Sequence, residues 1–212
     1  MKICKKIGFV FIILVTAACS NDAKETSNSS AVVSVAHGQA SNQKSSDEKQ
    51  QVSIESCAAC HGENGVSSNT DWPNLAAQQA DYLYQQLLLF KQGKRENELM
   101  GASLLANYTE EDLRSIADQY SNMEFASYVE EGAFELPGAH VRARCVSCHG
   151  MTGRTVTGLW PNIAGQQAGY LSSQLLAYKN GDRIHPTMQV IASELSTQQI
   201  KDVAEYYSKV NP

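Results

Sequence analysis

Proline is scarce, with five in 212 residues, which excludes a collagen-like chain. Apolar residues make up 42% of the sequence, so the chain as a whole is not disordered. Positive charge is not in excess: 17 Lys and Arg stand against 22 Asp and Glu, a net charge of -5. A general nucleic-acid binder needs a basic face, and no nucleic-acid partner is expected. Cysteine is too sparse, at six, for a disulfide-dense scaffold. The apolar run Ile7–Ala18 has 12 residues, too short for the roughly 20 that cross a bilayer as a helix. Strand-like alternation is missing as well. At about 150 residues per domain the length suggests one or two domains.

An internal repeat is present. Shifted by 88, residues 57–100 match 145–188 at 21 of 44 positions. The pairs include Trp72/Trp160, Pro73/Pro161, Asn74/Asn162, Gln78/Gln166, Tyr82/Tyr170, Gln86/Gln174, Lys91/Lys179, Arg95/Arg183 and Met100/Met188. Beyond Met100 the register slips to 87, aligning Thr109 with Ser196 and Tyr120 with Tyr207. Two copies are too few for a solenoid and imply two similar domains, at 51–125 and 136–212, joined by 126–135. Each reads as helical. Leu83, Leu87 and Phe90 (Leu171, Leu175 and Tyr178 in the second copy) recur at helical spacing. Thr109–Asp112 and Ser196–Gln199 resemble capping boxes, followed by one-sided apolar faces. The expected unit is a helix bearing cysteines, a long loop, a middle helix, a second loop and a closing helix. Units of this size have marginal cores and often need a staple.

Four cysteines fall in two Cys-x-x-Cys-His motifs: Cys57, Cys60 and His61, then Cys145, Cys148 and His149. Two thiols one helical turn apart can add to the two vinyl groups of a haem, and the adjacent histidine then faces the iron. Zinc would want a fourth ligand at similar spacing. A thioredoxin-like redox pair would want a βαβ context. Two covalent haem c groups are therefore expected. Each copy has one matched methionine, Met100 and Met188, 43 residues after its first cysteine. Methionine is more often core filler than ligand. Here the loops around it diverge while the methionine is kept. His185 is a rival ligand in the second copy, but Asn97 stands at its place in the first. His/Met ligation at both irons is expected; it raises the potential and leaves no open position for substrate, favouring electron transfer over catalysis. A ligating histidine usually donates its other ring proton to a carbonyl, and the loops at Trp72 and Trp160, 11 residues beyond each histidine, are candidates to close over that side. The two tryptophans either contact a haem or its propionates, or are plain core. Arg95 and Arg183 either pair with propionates or form a solvated surface pair.

Lys2, Lys5 and Lys6 before the apolar run describe an export signal over residues 1–18. Val15-Thr16-Ala17-Ala18-Cys19 resembles a bacterial lipobox, with Thr16 where a large aliphatic residue is usual. Lipidation of Cys19 is expected; cleavage to a soluble protein is the alternative. Residues 19–50 hold eight serines and no aromatic residue, and read as a flexible tether spanning roughly 30 Å.

These residues resemble the cytochrome c4 family of di-haem class I cytochromes c. The resemblance rests on two CxxCHG motifs, the segments Trp72 to Gln78 and Trp160 to Gln166, the segments Tyr82 to Leu87 and Tyr170 to Leu175, and Met100 with Met188. It covers about 51–212. It implies an all-α protein of two tandem class I cytochrome c domains about a pseudo-twofold axis, with haem propionates near their interface. It also implies a periplasmic, non-enzymatic carrier between a quinol-oxidising bc complex and a terminal oxidase or another reductase, and a monomer is expected. The lipobox and long tether depart from the family pattern. A cytochrome subunit of a periplasmic dehydrogenase, such as a sulfide-oxidising flavocytochrome, is the alternative. An enzyme such as a peroxidase would need a displaceable iron ligand.

Charge divides with the copies. Residues 51–135 carry 14 acids and four Lys or Arg, whereas 136–212 carry four and seven. Removing residues 1–18, with three lysines and no acid, leaves a net charge of -8. Each half is expected to steer toward a partner of opposite sign, an effect that salt weakens.

Overall fold

Residues 52–125 and 135–210 are described by the computed structural model. The segments 1–18 and 19–50, with Cys19, and the link 126–135 apart from Glu135 lie outside the described residues. The first half holds α1 (Glu55–His61), α2 (Ala80–Lys91) and α3 (Glu110–Ser121). The second holds α4 (Gly138–Val141), a 3₁₀ turn (Arg142–Arg144), α5 (Val146–His149), α6 (Ala168–Asn180), α7 (Pro186–Ser193) and α8 (Thr197–Lys209). The architecture is all-α, with no strand among the described residues. None of their helices is long and apolar enough to cross a membrane.

The closing helices start at true capping boxes. The Thr109 hydroxyl accepts the Asp112 N–H at 3.1 Å, and the Asp112 carboxylate accepts the Thr109 N–H at 2.7 Å. Ser196 and Gln199 repeat this at 3.1 and 2.9 Å. Each pair satisfies two amides that the helix start would otherwise leave without partners. The cysteine helices α1 and α5 end at Gly62 and Gly150, with φ of 81° and 80°. A Cβ would lie 2.1 Å from the Val66 carbonyl oxygen at Gly62 and 2.0 Å from that of Arg154 at Gly150. The sharp turn after each histidine therefore requires glycine.

The halves differ in two places. Short α4 precedes the second cysteine motif and packs on α8. The loop expected before α8 contains α7. Pro186 opens that helix with a φ already suited to its first position, and the His185 ring accepts the Met188 N–H at 3.4 Å. In the first half the Asn97 carboxamide accepts the amides of Leu99 and Met100 at 2.9 and 2.8 Å. The chain then proceeds in turns to Thr109, and the extra residue here accounts for the register slip.

The inward faces follow the periodicity. Leu113, Ile116, Ala117 and Tyr120 of α3 are buried against α2, and Ile200, Val203, Ala204 and Tyr207 of α8 are buried near α6 and α4. Leu83 and Phe90 of α2 join the first core, whereas α6 has no fully buried residue. Leu171, Leu175 and Tyr178 of α6 line a cavity, as do Leu83, Leu87 and Phe90 of α2.

Candidate functional site

A single cavity of about 960 Å³ runs through both halves. Its walls include Cys57, Cys60, His61, Trp72, Arg95 and Met100, with their repeat mates Cys145, Cys148, His149, Trp160, Arg183 and Met188. Every candidate within the described residues thus meets one continuous space. Met123 and Met151, which have no mate, do not line it.

All four cysteines are free of disulfides. Burial pushes the Cys57 thiol up, and the Cys145 thiol to about 11. Among the described residues no three His, Cys, Asp or Glu side chains assemble into a metal cage. The Tyr120 and Tyr207 hydroxyls lie buried beside Cys57 and Cys145, without a well-formed hydrogen bond.

The histidines are oriented identically. His61 Nδ1 lies 2.9 Å from the Pro73 carbonyl, and His149 Nδ1 lies 2.8 Å from that of Pro161. A carbonyl only accepts, so Nδ1 carries the proton and Nε2 keeps its lone pair for a metal. Burial lowers both histidine pKa values, partly offset by the carbonyl bond. That keeps the rings neutral, as ligation requires. The loops at Trp72 and Trp160 thus supply the partners through their prolines. Trp160 is 38% exposed and Trp72 half-buried, so neither is plain core.

Two matched lysines pin the chain that follows each methionine. Lys91 Nζ donates to the carbonyls of Leu105, Ala106 and Tyr108 at 3.0, 3.0 and 2.7 Å. Lys179 Nζ donates to those of Ser193 and Leu195 at 3.2 and 2.6 Å. Their identity in both copies was the only sequence signal for this role.

Between the halves runs a reciprocal seam. Gln166 Oε1 accepts the Asn74 N–H at 2.7 Å, and its Nε2 donates to the Asn74 carbonyl at 2.9 Å. Gln78 does the same to Asn162 at 2.7 and 2.8 Å. Asn74 Nδ2 donates to the Gly165 carbonyl and Asn162 Nδ2 to that of Ala77, both at 2.9 Å. Arg95 and Arg183 also cross this seam. They are 9% and 8% exposed, not a solvated pair. Arg95 donates to Gln86 in its own half and to Tyr170 and Gln174 in the other, at 2.7, 3.0 and 2.8 Å. Arg183 mirrors it, reaching Gln174, Tyr82 and Gln86 at 2.7, 3.0 and 2.7 Å. Burial raises the Tyr170 pKa, but the two guanidiniums outweigh it and the net shift is downward.

This donor set fits two covalent haems. Each half offers paired thiols, a neutral histidine nitrogen and a thioether at the walls of an apolar void. The cytochrome c family description matches residues 46–121 and again 137–211. Over 71% of its length the chain is 31% identical to cytochrome c4 of Pseudomonas aeruginosa, of which it covers 81%. The chain belongs to the di-haem cytochrome c4 family. It is also 33% identical to a protein of Stutzerimonas stutzeri named thiosulfate dehydrogenase electron acceptor, over 73% of this chain and 78% of that one. Its fold is similar to that of reduced cytochrome c4 from Pseudomonas stutzeri, with a TM-score of 0.69 and 26% identity, covering 77% of this chain and 97% of that one. As a cytochrome c4 it carries two covalent haem c groups and is an electron carrier, not an enzyme.

Proposed function

We propose that this cytochrome works in the periplasm as a monomer, held at a membrane by lipidated Cys19 and reaching outward on the 19–50 tether. It takes single electrons from a quinol-oxidising bc complex or another donor and passes them to a terminal oxidase or reductase. The observation that supports this best is the single cavity lined by two matched sets of cysteines, histidine and methionine. Cys57 and Cys60 would hold one haem by thioether bonds, and Cys145 and Cys148 the other. Each haem supplies a one-electron couple.

The remaining work belongs to the chain. The carbonyls of Pro73 and Pro161 hold the rings of His61 and His149 so that Nε2 is free to bind the haem iron. Met100, in the loop that Lys91 anchors, and Met188, in α7, whose far end Lys179 anchors, would supply the second iron ligand. Two such protein ligands would leave no position for substrate or water. Arg95 and Arg183 would hold propionates, whose carboxylates suit a planar guanidinium fork. Trp72 and Trp160, at the cavity wall, cover haem or propionate.

The relative named as an acceptor for thiosulfate dehydrogenase supports a second donor, a periplasmic dehydrogenase. A place as the cytochrome subunit of such a dehydrogenase, for instance a sulfide-oxidising flavocytochrome, belongs to the same reading. Stopped-flow reduction of the purified di-haem protein separates the donors. Rapid reduction by a bc complex supports the respiratory route. Reduction only by a dehydrogenase, or co-purification with one, selects the second. Reduction by neither removes both. Salt dependence at each step tests steering by the acidic and basic halves.

A further inference from the structure

If the chain carries electrons on two centres, as read above, three features of the seam bear on both of them. Gln86 Oε1 accepts from Arg95 and Arg183 alike, at 2.7 Å each, and Gln174 Oε1 accepts from the same two at 2.8 and 2.7 Å. Both lone pairs of each amide oxygen are thereby used. Each guanidinium also bonds a tyrosine of the opposite half, Tyr170 or Tyr82, at 3.0 Å. Finally, no carboxylate of the described residues forms an ion pair with either arginine. Two buried cations thus share neutral acceptors at the wall of the cavity that both halves line. Buried charge without a counter-ion is costly, so the pair calls for anions from the cavity.

We infer that Arg95 and Arg183 act as one shared positive element that sets the potentials of both centres, each arginine governing the opposite half as well as its own. A centre that gains an electron becomes one unit more negative, and a nearby fixed cation favours that state. Burial strengthens the effect, because buried charges are screened by salt far less than exposed ones. The guanidinium stays protonated throughout. One electron enters and one leaves, no bond is made or broken, and no proton moves. Arg95 and Arg183 are positioning residues: they tune the centres and take no part in iron ligation.

The test is a spectroscopically resolved redox titration of the full chain, with haems counted in every variant. Arg183→Gln lies in the second half yet lowers both midpoint potentials, and Arg95→Gln does the same from the first. Arg183→Lys keeps the charge and restores most of both. Gln78→Ala cuts the seam without touching a guanidinium and shifts neither. A fall in one potential only, or in none, overturns the proposal, as does a Gln78→Ala shift equal to that of Arg183→Gln. Should the neutral variants fail to load two haems, arginine-labelled unmodified protein decides by NMR. The guanidinium resonances of Arg183 shift on reduction of either centre; a response to one centre alone overturns the idea. Haem content and electron acceptance by the unmodified protein test the carrier reading separately.

Discussion

Gln166 grips Asn74 twice across the seam, accepting its amide at 2.7 Å and donating to its carbonyl at 2.9 Å. Gln166→Ala leaves both main-chain groups without partners. Each buried group left unsatisfied costs about 1–3 kcal/mol. Gln78→Ala acts equally on Asn162. Denaturant midpoints for the two variants should fall by similar amounts. A near-neutral result for either would show that its contacts are replaced by water.

Met100→Ala and Met188→Ala should each abolish the sulfur-to-iron charge-transfer band of one haem and lower its potential. Half of the band should survive in each single variant. An unchanged spectrum eliminates that methionine as a ligand and brings His185 forward in the second half.

Gly62→Ala places a methyl group against the Val66 carbonyl, and Gly150→Ala against that of Arg154. Both obstacles are main chain and neither can swing aside. Each variant should carry one haem per chain instead of two. Full loading in either would mean that the turn after the histidine can relax.

Acid should loosen one closing helix before the other. Hydrogen bonds from the Thr109 amide and hydroxyl hold the Asp112 carboxyl below its ordinary value near 3.8. A depressed folded-state pKa stabilises above the unfolded value, and that contribution is lost as pH falls through the folded one. Gln199, its counterpart on α8, does not titrate. Amide exchange below about pH 4 should therefore rise at the start of α3 and not of α8. Asp112→Asn should remove the difference, and equal exchange at both helices in the unaltered protein would refute the assignment.

Local signals carried much of this fold. The capping boxes at Thr109 and Ser196 and the one-sided faces after them mark α3 and α8, because caps and periodicity are written within a few residues. That the Trp-Pro-Asn loop closes over each histidine was legible too, since it recurs at one fixed distance; which carbonyl the ring meets was not. Helix α7 was not, although Pro186 is a recognised start: its divergence from the first copy read as loop. The seam was hidden for another reason. Asn74 and Gln166 meet across 92 positions, a separation that leaves no local pattern. Their trace was chemical: Asn74/Asn162 and Gln78/Gln166 are polar residues kept in both copies. Arg95 and Arg183 carried the same trace, and only burial shows that they are no surface pair.

Because Gln78 treats Asn162 as Gln166 treats Asn74, either half meets a surface equivalent to its own. Self-complementarity of this kind belongs to two identical subunits around a twofold axis. The chain is in effect a dimer fused end to end, and fusion turns a concentration-dependent encounter into an internal one. Distance between the two irons then does not depend on dilution, which a freely dissociating pair of single-haem proteins could not ensure.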